Sequence, residues 1–116
     1  MGDRALIILT DSKKTEMSPI IYSHWGGSSV PNYIEQAKQL MDTRLGDVSY
    51  GFARLIGIMH NNTSGNISLG GWNLPPKLKK ALKSGDNKAI LEFSHGDEGI
   101  FLVNVDDYSF IQYKGY

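Results

Sequence analysis

Two short apolar runs constrain the fold of this chain more than any other feature. Ala5-Leu6-Ile7-Ile8-Leu9 is continuous and of strand length, and Asp11-Ser12-Lys13-Lys14 behind it is turn chemistry. Pro19-Ile20-Ile21-Tyr22-Ser23-His24 reads as its hairpin partner. Pro19 is tolerated there because it stands at the first position of the strand, where its missing N–H removes little.

The second run ends in His24 and Trp25 and then breaks, at Gly26-Gly27-Ser28-Ser29, into a helix start. Ser29 is placed to accept from an unpaired first-turn amide, and Pro31 sits where its missing N–H costs nothing. Tyr33, Ile34, Ala37, Leu40, Met41 and Leu45 recur at helical spacing opposite Glu35, Gln36, Lys38 and Asp42. Gly46 supplies a left-handed stop and Asp47 a cap for a second helix, with Val48, Phe52, Leu55, Ile56 and Met59 as its buried stripe. Gly51 and Gly57 within it imply close approach of another backbone, or else a shortened or kinked helix.

Residues 60–66 are turn formers and predict a loop. Ile67-Ser68-Leu69 reads as a short edge strand, and Lys77 to Lys83 as a helix opened by Pro76 and closed at Gly85. Ala89, Leu91 and Phe93 alternate with Ile90, Glu92 and Ser94, the pattern of a half-buried strand. Ser94 to Gly99 then reads as a hairpin loop, Ile100 to Val105 as the return strand, Asp106-Asp107 as a turn and Ser109 to Tyr113 as a further strand. The expectation is an α+β fold: one domain over residues 1–116, a mainly antiparallel sheet of about five strands, and two or three helices packed on one face.

Twelve basic residues balance twelve acidic ones, so no global field recruits nucleic acid or an anionic membrane. The absence of cysteine excludes disulfides and thiolate chemistry and fits an intracellular, cytoplasmic setting. Asp3 and Arg4 ahead of a short apolar run do not make a signal peptide, and no stretch is long and apolar enough to span a membrane.

Five constellations could carry function. If the strand ends meet, His24, His95 and Asp97 could form an acid–base cluster, since imidazole titrates near neutrality and a carboxylate can orient it; the plainer reading bonds His24 to a backbone group beside the helix start and makes His95 and Asp97 ordinary hairpin residues. A metal site from His24, His60, His95 and Asp97 lacks any recognisable ligand spacing, so no metal or cofactor is expected. Gly26, Gly27, Ser28 and Ser29 between strand and helix form the general arrangement of an anion site, pointing to a nucleotide phosphate, although the Walker lysine and the G-x-G-x-x-G spacing are missing. Lys77, Lys79, Lys80 and Lys83, with Trp72 upstream, could contact phosphates or an acidic protein face, or could be the solvated side of a short helix. Tyr108, Phe110, Tyr113 and Tyr116 divide between core and a sticky carboxy-terminal edge through which the chain could form a homodimer.

Tyr22-x-His24-Trp25-x-Gly27, the later Ser49-Tyr50-x-x-Ala53-Arg54 and Gly96-Asp97-x-x-x-Phe101-x-Val103 together resemble a group of small uncharacterised proteins of bacteria and their phages. Members carry Tyr-x-His-Trp-Asp-Gly-Tyr, a helical Tyr-x-x-Ala-Arg and a late Gly-Asp. Gly26 stands here where the aspartate is usual and Ser28 where an aromatic is usual, so no role resting on that acid carries over. The resemblance implies a phage or prophage setting, in which small proteins often inhibit host defence, anti-CRISPR proteins among them. The expected function is therefore a non-enzymatic binding protein that occupies a host protein in the bacterial cytoplasm, a defence component such as a CRISPR effector, with Trp25, Trp72 and the four lysines as its contact residues. The alternative is a small nucleotide-binding protein or hydrolase using His24 and the Gly26–Ser29 turn.

Overall fold

The computed structural model describes residues 3–62, 69–94 and 97–114. Five strands form one sheet in the order β3-β2-β1-β4-β5. They are β1 (Ala5–Thr10), β2 (Ile20–Ser23), β3 (Leu69–Trp72), β4 (Ile100–Asn104) and β5 (Ser109–Tyr113). β1 and β2 make the expected antiparallel pair, with Ala5 opposite Ser23 and Ile7 opposite Ile21. Ser18 secures the connection from inside: its hydroxyl accepts from the Leu9 N–H at 3.0 Å, and its own N–H donates to the Leu9 carbonyl at 2.9 Å. β3 adds antiparallel to β2 and β5 antiparallel to β4. The central pair differs, because β4 runs parallel to β1, with Leu6 opposite Ile100 and Thr10 opposite Asn104.

Among the described residues four α-helices cover this sheet: α1 (Val30–Leu40), α2 (Val48–Asn62), α3 (Pro76–Ser84) and α4 (Asn87–Leu91). They lie on both faces, which corrects the one-face expectation. Ala5, Ile7, Leu9, Phe101 and Val103 pack against Tyr33, Ile34 and Ala37 of α1 and Leu55 and Met59 of α2. Leu6, Ile8, Ile20, Ile100 and Leu102 pack against Leu78, Ala81 and Leu82 of α3 and Ile90 of α4. The reason is visible in β1 itself. A strand that is apolar without interruption from Ala5 to Leu9 has a hydrophobic set on each side of the pleat, and both must leave water.

The expected strand from Ala89 to Phe93 is helical instead. Gly85 ends α3 in the left-handed conformation, and the Asp86 side chain accepts from the Ala89 N–H at 3.2 Å, so a new helix starts at once. Ile90, which the alternation grouped with Glu92 and Ser94, is the fully buried member of α4. The described residues of the expected hairpin loop, Ser94 and 97–99, therefore lie between a helix and β4 and not between two strands, while His95 and Gly96 lie outside the described residues. Leu40 and Leu45 are also exposed, because α1 stops at Leu40 and only Tyr33, Ile34, Ala37 and Met41 continue the buried stripe. The loop expected over residues 60–66 splits: α2 runs on through His60 to Asn62, and 63–66 lie outside the described residues, as do Ile67 and Ser68 of the expected edge strand. At the carboxy-terminal edge Tyr108 and Tyr113 are buried while Phe110 and Ile111 are exposed; Tyr116 lies outside the described residues. Among the described residues no helix is long and apolar enough to cross a membrane.

Candidate functional site

The antiparallel register of β1 and β2 carries His24 and Trp25 to the amino-terminal end of β1, beside Asp3 and Arg4. The Gly27 N–H donates to the Asp3 carbonyl at 2.7 Å, and a β-carbon on Gly27 would lie equally close to that oxygen, so only glycine fits there. Gly26 takes the left-handed conformation with φ 86°, and Gly27–Ser29 form one 3₁₀ turn that runs into α1.

Both donors of Ser28 in this turn are occupied. Ser28 N–H lies 3.0 and 3.1 Å from the two Asp3 carboxylate oxygens, and its hydroxyl donates to one of them at 2.7 Å. Ser29, expected to cap, makes no side-chain cap bond. The Ser28 donors of the turn thus face the chain's own Asp3 carboxylate.

Asp97 lies at the same end of the sheet, on the approach to β4. Its Oδ2 accepts from the Arg4 backbone N–H at 3.1 Å and from Arg4 Nε at 2.7 Å, and these hydrogen bonds, with the guanidinium charge, hold its carboxyl below the ordinary range. It is a structural anion anchoring β1 to the β4 approach. His24 engages Tyr22 instead, and His95 lies outside the described residues. Among the described residues no three His, Asp or Glu side chains stand close enough to share a cation.

His24 belongs to an aromatic strip. Its Nδ1 shares a 2.9 Å hydrogen bond with the Tyr22 hydroxyl. Trp25 meets the imidazole edge-on at a centroid distance of 4.9 Å, and Tyr22 stacks on Trp72 at 4.6 Å and 11°. The Ser23 hydroxyl donates to the Trp25 carbonyl and fixes the turn that presents the indole. The outer members are open to solvent, Trp25 at 51% and Trp72 at 38% exposure, while Tyr22 and His24 between them are half-buried. Trp72 pairs with Ile20, and Ile20 and Tyr22 face the α3 side of the sheet, so the strip lies on that side at the β3 edge.

Sequence reasoning named both tryptophans separately. It missed that Tyr22 and His24 join them, for which the strand alternation of Ile20 and Tyr22 was the available signal. It also missed a groove of about 400 Å³ on the other side of β3, lined by Ile56, His60, Leu69, Gly70 and Gly71.

The amphipathic spacing of α3 turns its lysines outward. Leu78, Ala81 and Leu82 are buried, Lys77, Lys80 and Lys83 are exposed and Lys79 is half-exposed. Among the described residues none of the four makes an ion pair. A separate cation, Lys14, donates to the Leu82 carbonyl at 3.0 Å near the end of α3.

The chain has no significant match to a protein-family model, to a curated protein or to a solved structure.

Proposed function

We propose that this chain is a non-enzymatic binding protein whose contact surface is the strip Trp25–His24–Tyr22–Trp72, extended by Lys77, Lys79, Lys80 and Lys83 of α3. The observation that carries the reading is that four rings touch in series while the two terminal indoles remain exposed. Aromatic rings prelocked by their neighbours lose little entropy on docking and remove a large apolar area from water, which is why Trp and Tyr dominate binding hot spots. β3 beside them is a sheet edge whose Gly70 and Gly71 carry no side chains to obstruct an approaching strand.

The partner in this proposal is a host protein of the bacterial cytoplasm, a defence component. That part rests on the motif resemblance alone. The nucleotide alternative keeps no observation in its favour, since the Ser28 donors it needs are bonded to Asp3.

The test is affinity capture from a bacterial host lysate with wild-type protein and with Trp25→Ala and Trp72→Ala. Hot-spot anchors predict that each variant loses about 2 kcal/mol of binding or more while the circular dichroism spectrum is retained. If both folded variants capture the same protein as well as wild type, the strip is not the contact surface.

A further inference from the structure

The outer strand opposite the aromatic strip is β5, and it carries Phe110 and Ile111, exposed at 37% and 52%. Being consecutive in a strand, they stand on opposite faces of the sheet. A surface docked on one face covers one of them; a strand added beyond β5 covers both. β5 also lacks the devices that keep an edge from pairing. From Ser109 to Tyr113 it holds no charged residue and no proline, and it matches β4 along its whole length without a bulge. Among the described residues no strand pairs with its outer side.

The exposed side chains continue rows of the core. On the α3 side Ile8 lies opposite Leu102, and Leu102 lies opposite Ile111, so an apolar row crosses three strands and ends in water. On the other side Val103 lies opposite Phe110, whose ring tilts on that of Phe101 at a centroid distance of 5.6 Å.

We propose that β5 pairs antiparallel with β5 of a second copy of this chain, about a two-fold axis at Ile111. Ile111 is the midpoint of the strand, so this register alone pairs all five of its residues: Ile111 with Ile111, Phe110 with Gln112, and Ser109 with Tyr113. The row Ile8–Leu102–Ile111 then runs on into the same row of the second copy, and each Phe110 comes diagonal to the other, within reach of an aromatic ring. An axis at Phe110 sets Ile111 against Ser109, and one at Gln112 sets Phe110 against the Lys114 ammonium.

The strand itself selects a copy of itself. It is neutral, so the copy brings no charge against Phe110 or Ile111, and the charges that flank it, Asp107 before and Lys114 after, have opposite signs. Antiparallel pairing turns the Lys114 end of each copy toward the Asp107 end of the other, whereas parallel pairing sets like ends together. Ser109 already donates to Asp107, and Lys114 lies 3.3 Å from Glu98, so these ends set orientation more than affinity. The contact is isologous and closes at two copies. The joined sheet keeps β3 at each outer edge, so the dimer presents two aromatic strips and depends on neither.

A single added strand is at the low end of interface sizes, so the dimer is expected to dissociate on dilution. Sedimentation equilibrium of the whole protein from about 10 μM to about 1 mM should show the mass rise from one copy to two. A residue on the axis meets itself, so Ile111→Lys and Ile111→Glu should each raise the dissociation constant by roughly tenfold or more, and an equimolar mixture of the two should dimerise again. Both variants should keep the wild-type circular dichroism spectrum, because the side chain they replace is half exposed. Trp25→Ala with Trp72→Ala should dimerise as wild type does. A monomer over the whole range, a dimer that both charged variants retain, a mixture that stays monomeric, a dimer lost with the tryptophans, or mass growing past two copies, as pairing of β5 with β3 would give, would each overturn the proposal.

Discussion

The Tyr108 hydroxyl lies against the backbone of Gly51, so close that a β-carbon at position 51 would sit 2.5 Å from the oxygen. Tyr108 reaches this place with a left-handed backbone, φ 57°, and its buried hydroxyl has no hydrogen-bond partner among the described residues. Gly57 in the same helix has nothing within 4 Å of where its β-carbon would be. The two helical glycines, equivalent in sequence, therefore have opposite physical meanings.

Gly51→Ala should destabilise the protein by about 1–3 kcal/mol through overpacking, partly offset by better helix propensity, and Gly57→Ala should stabilise it by roughly 0.5–1 kcal/mol. Urea denaturation of the two variants checks both signs. Equal effects would mean that Tyr108 does not press on α2.

Tyr108→Phe removes the unpartnered hydroxyl and should leave stability unchanged or raise it by about 1 kcal/mol. Burial, together with the charge of Asp47, raises the Tyr108 pKa. The folded state thus favours the protonated phenol, and this contribution is complete below the ordinary tyrosine value and lost as pH rises through the raised one. Melting temperature followed into alkali should fall more steeply for wild type than for Tyr108→Phe.

Asp97 has the reverse sign. Its hydrogen bonds from Arg4 and the guanidinium charge lower its pKa, so the folded state favours the carboxylate. The contribution is present above the ordinary value of 3.8 and disappears as pH falls through the lowered one. Asp97→Asn should be less stable than wild type at neutral pH, and the gap should close on acidification, as read from melting curves across that range.

Asp3→Ala leaves the Ser28 amide and hydroxyl without their acceptor. By analogy with lost helix caps, the cost should be about 1 kcal/mol. Inorganic phosphate should leave the wild-type melting temperature unchanged, because its donors are taken; a phosphate-dependent rise in wild type would show that Asp3 yields to a ligand.

Much of this architecture can be read from the chain, and the parts that cannot share a physical cause. The β1–β2 hairpin, the Asp47 cap and the Pro76-to-Gly85 helix follow from local chemistry and stand where that chemistry puts them. The two-sided sheet is legible too, in a β1 run with no polar alternation, since a strand apolar on both faces needs cover on both. Asp86 directly after the Gly85 stop was the overlooked sign that a helix and not a strand follows. The bond from Ser28 to Asp3 depends on a register: once Ala5 lies opposite Ser23, Asp3 must fall beside Trp25 and reach the next turn. No local spacing announces the parallel union of β1 with β4, or the meeting of Tyr22 with Trp72, because both depend on which edge of the hairpin a distant strand selects.

That parallel union also bears on how the protein comes into being. Leu6 finds its neighbour only when Ile100 has been made, so one flank of the most apolar strand in the sheet stays open while α1, α2 and α3 are already emerging from the ribosome. Until then Ile7 and Ile8 are available to any other extended chain. A chain with this order of strands keeps an unpaired apolar flank open until β4 is made, so its yield in a cell should track how quickly β4 and β5 follow β1 more than the stability it finally attains.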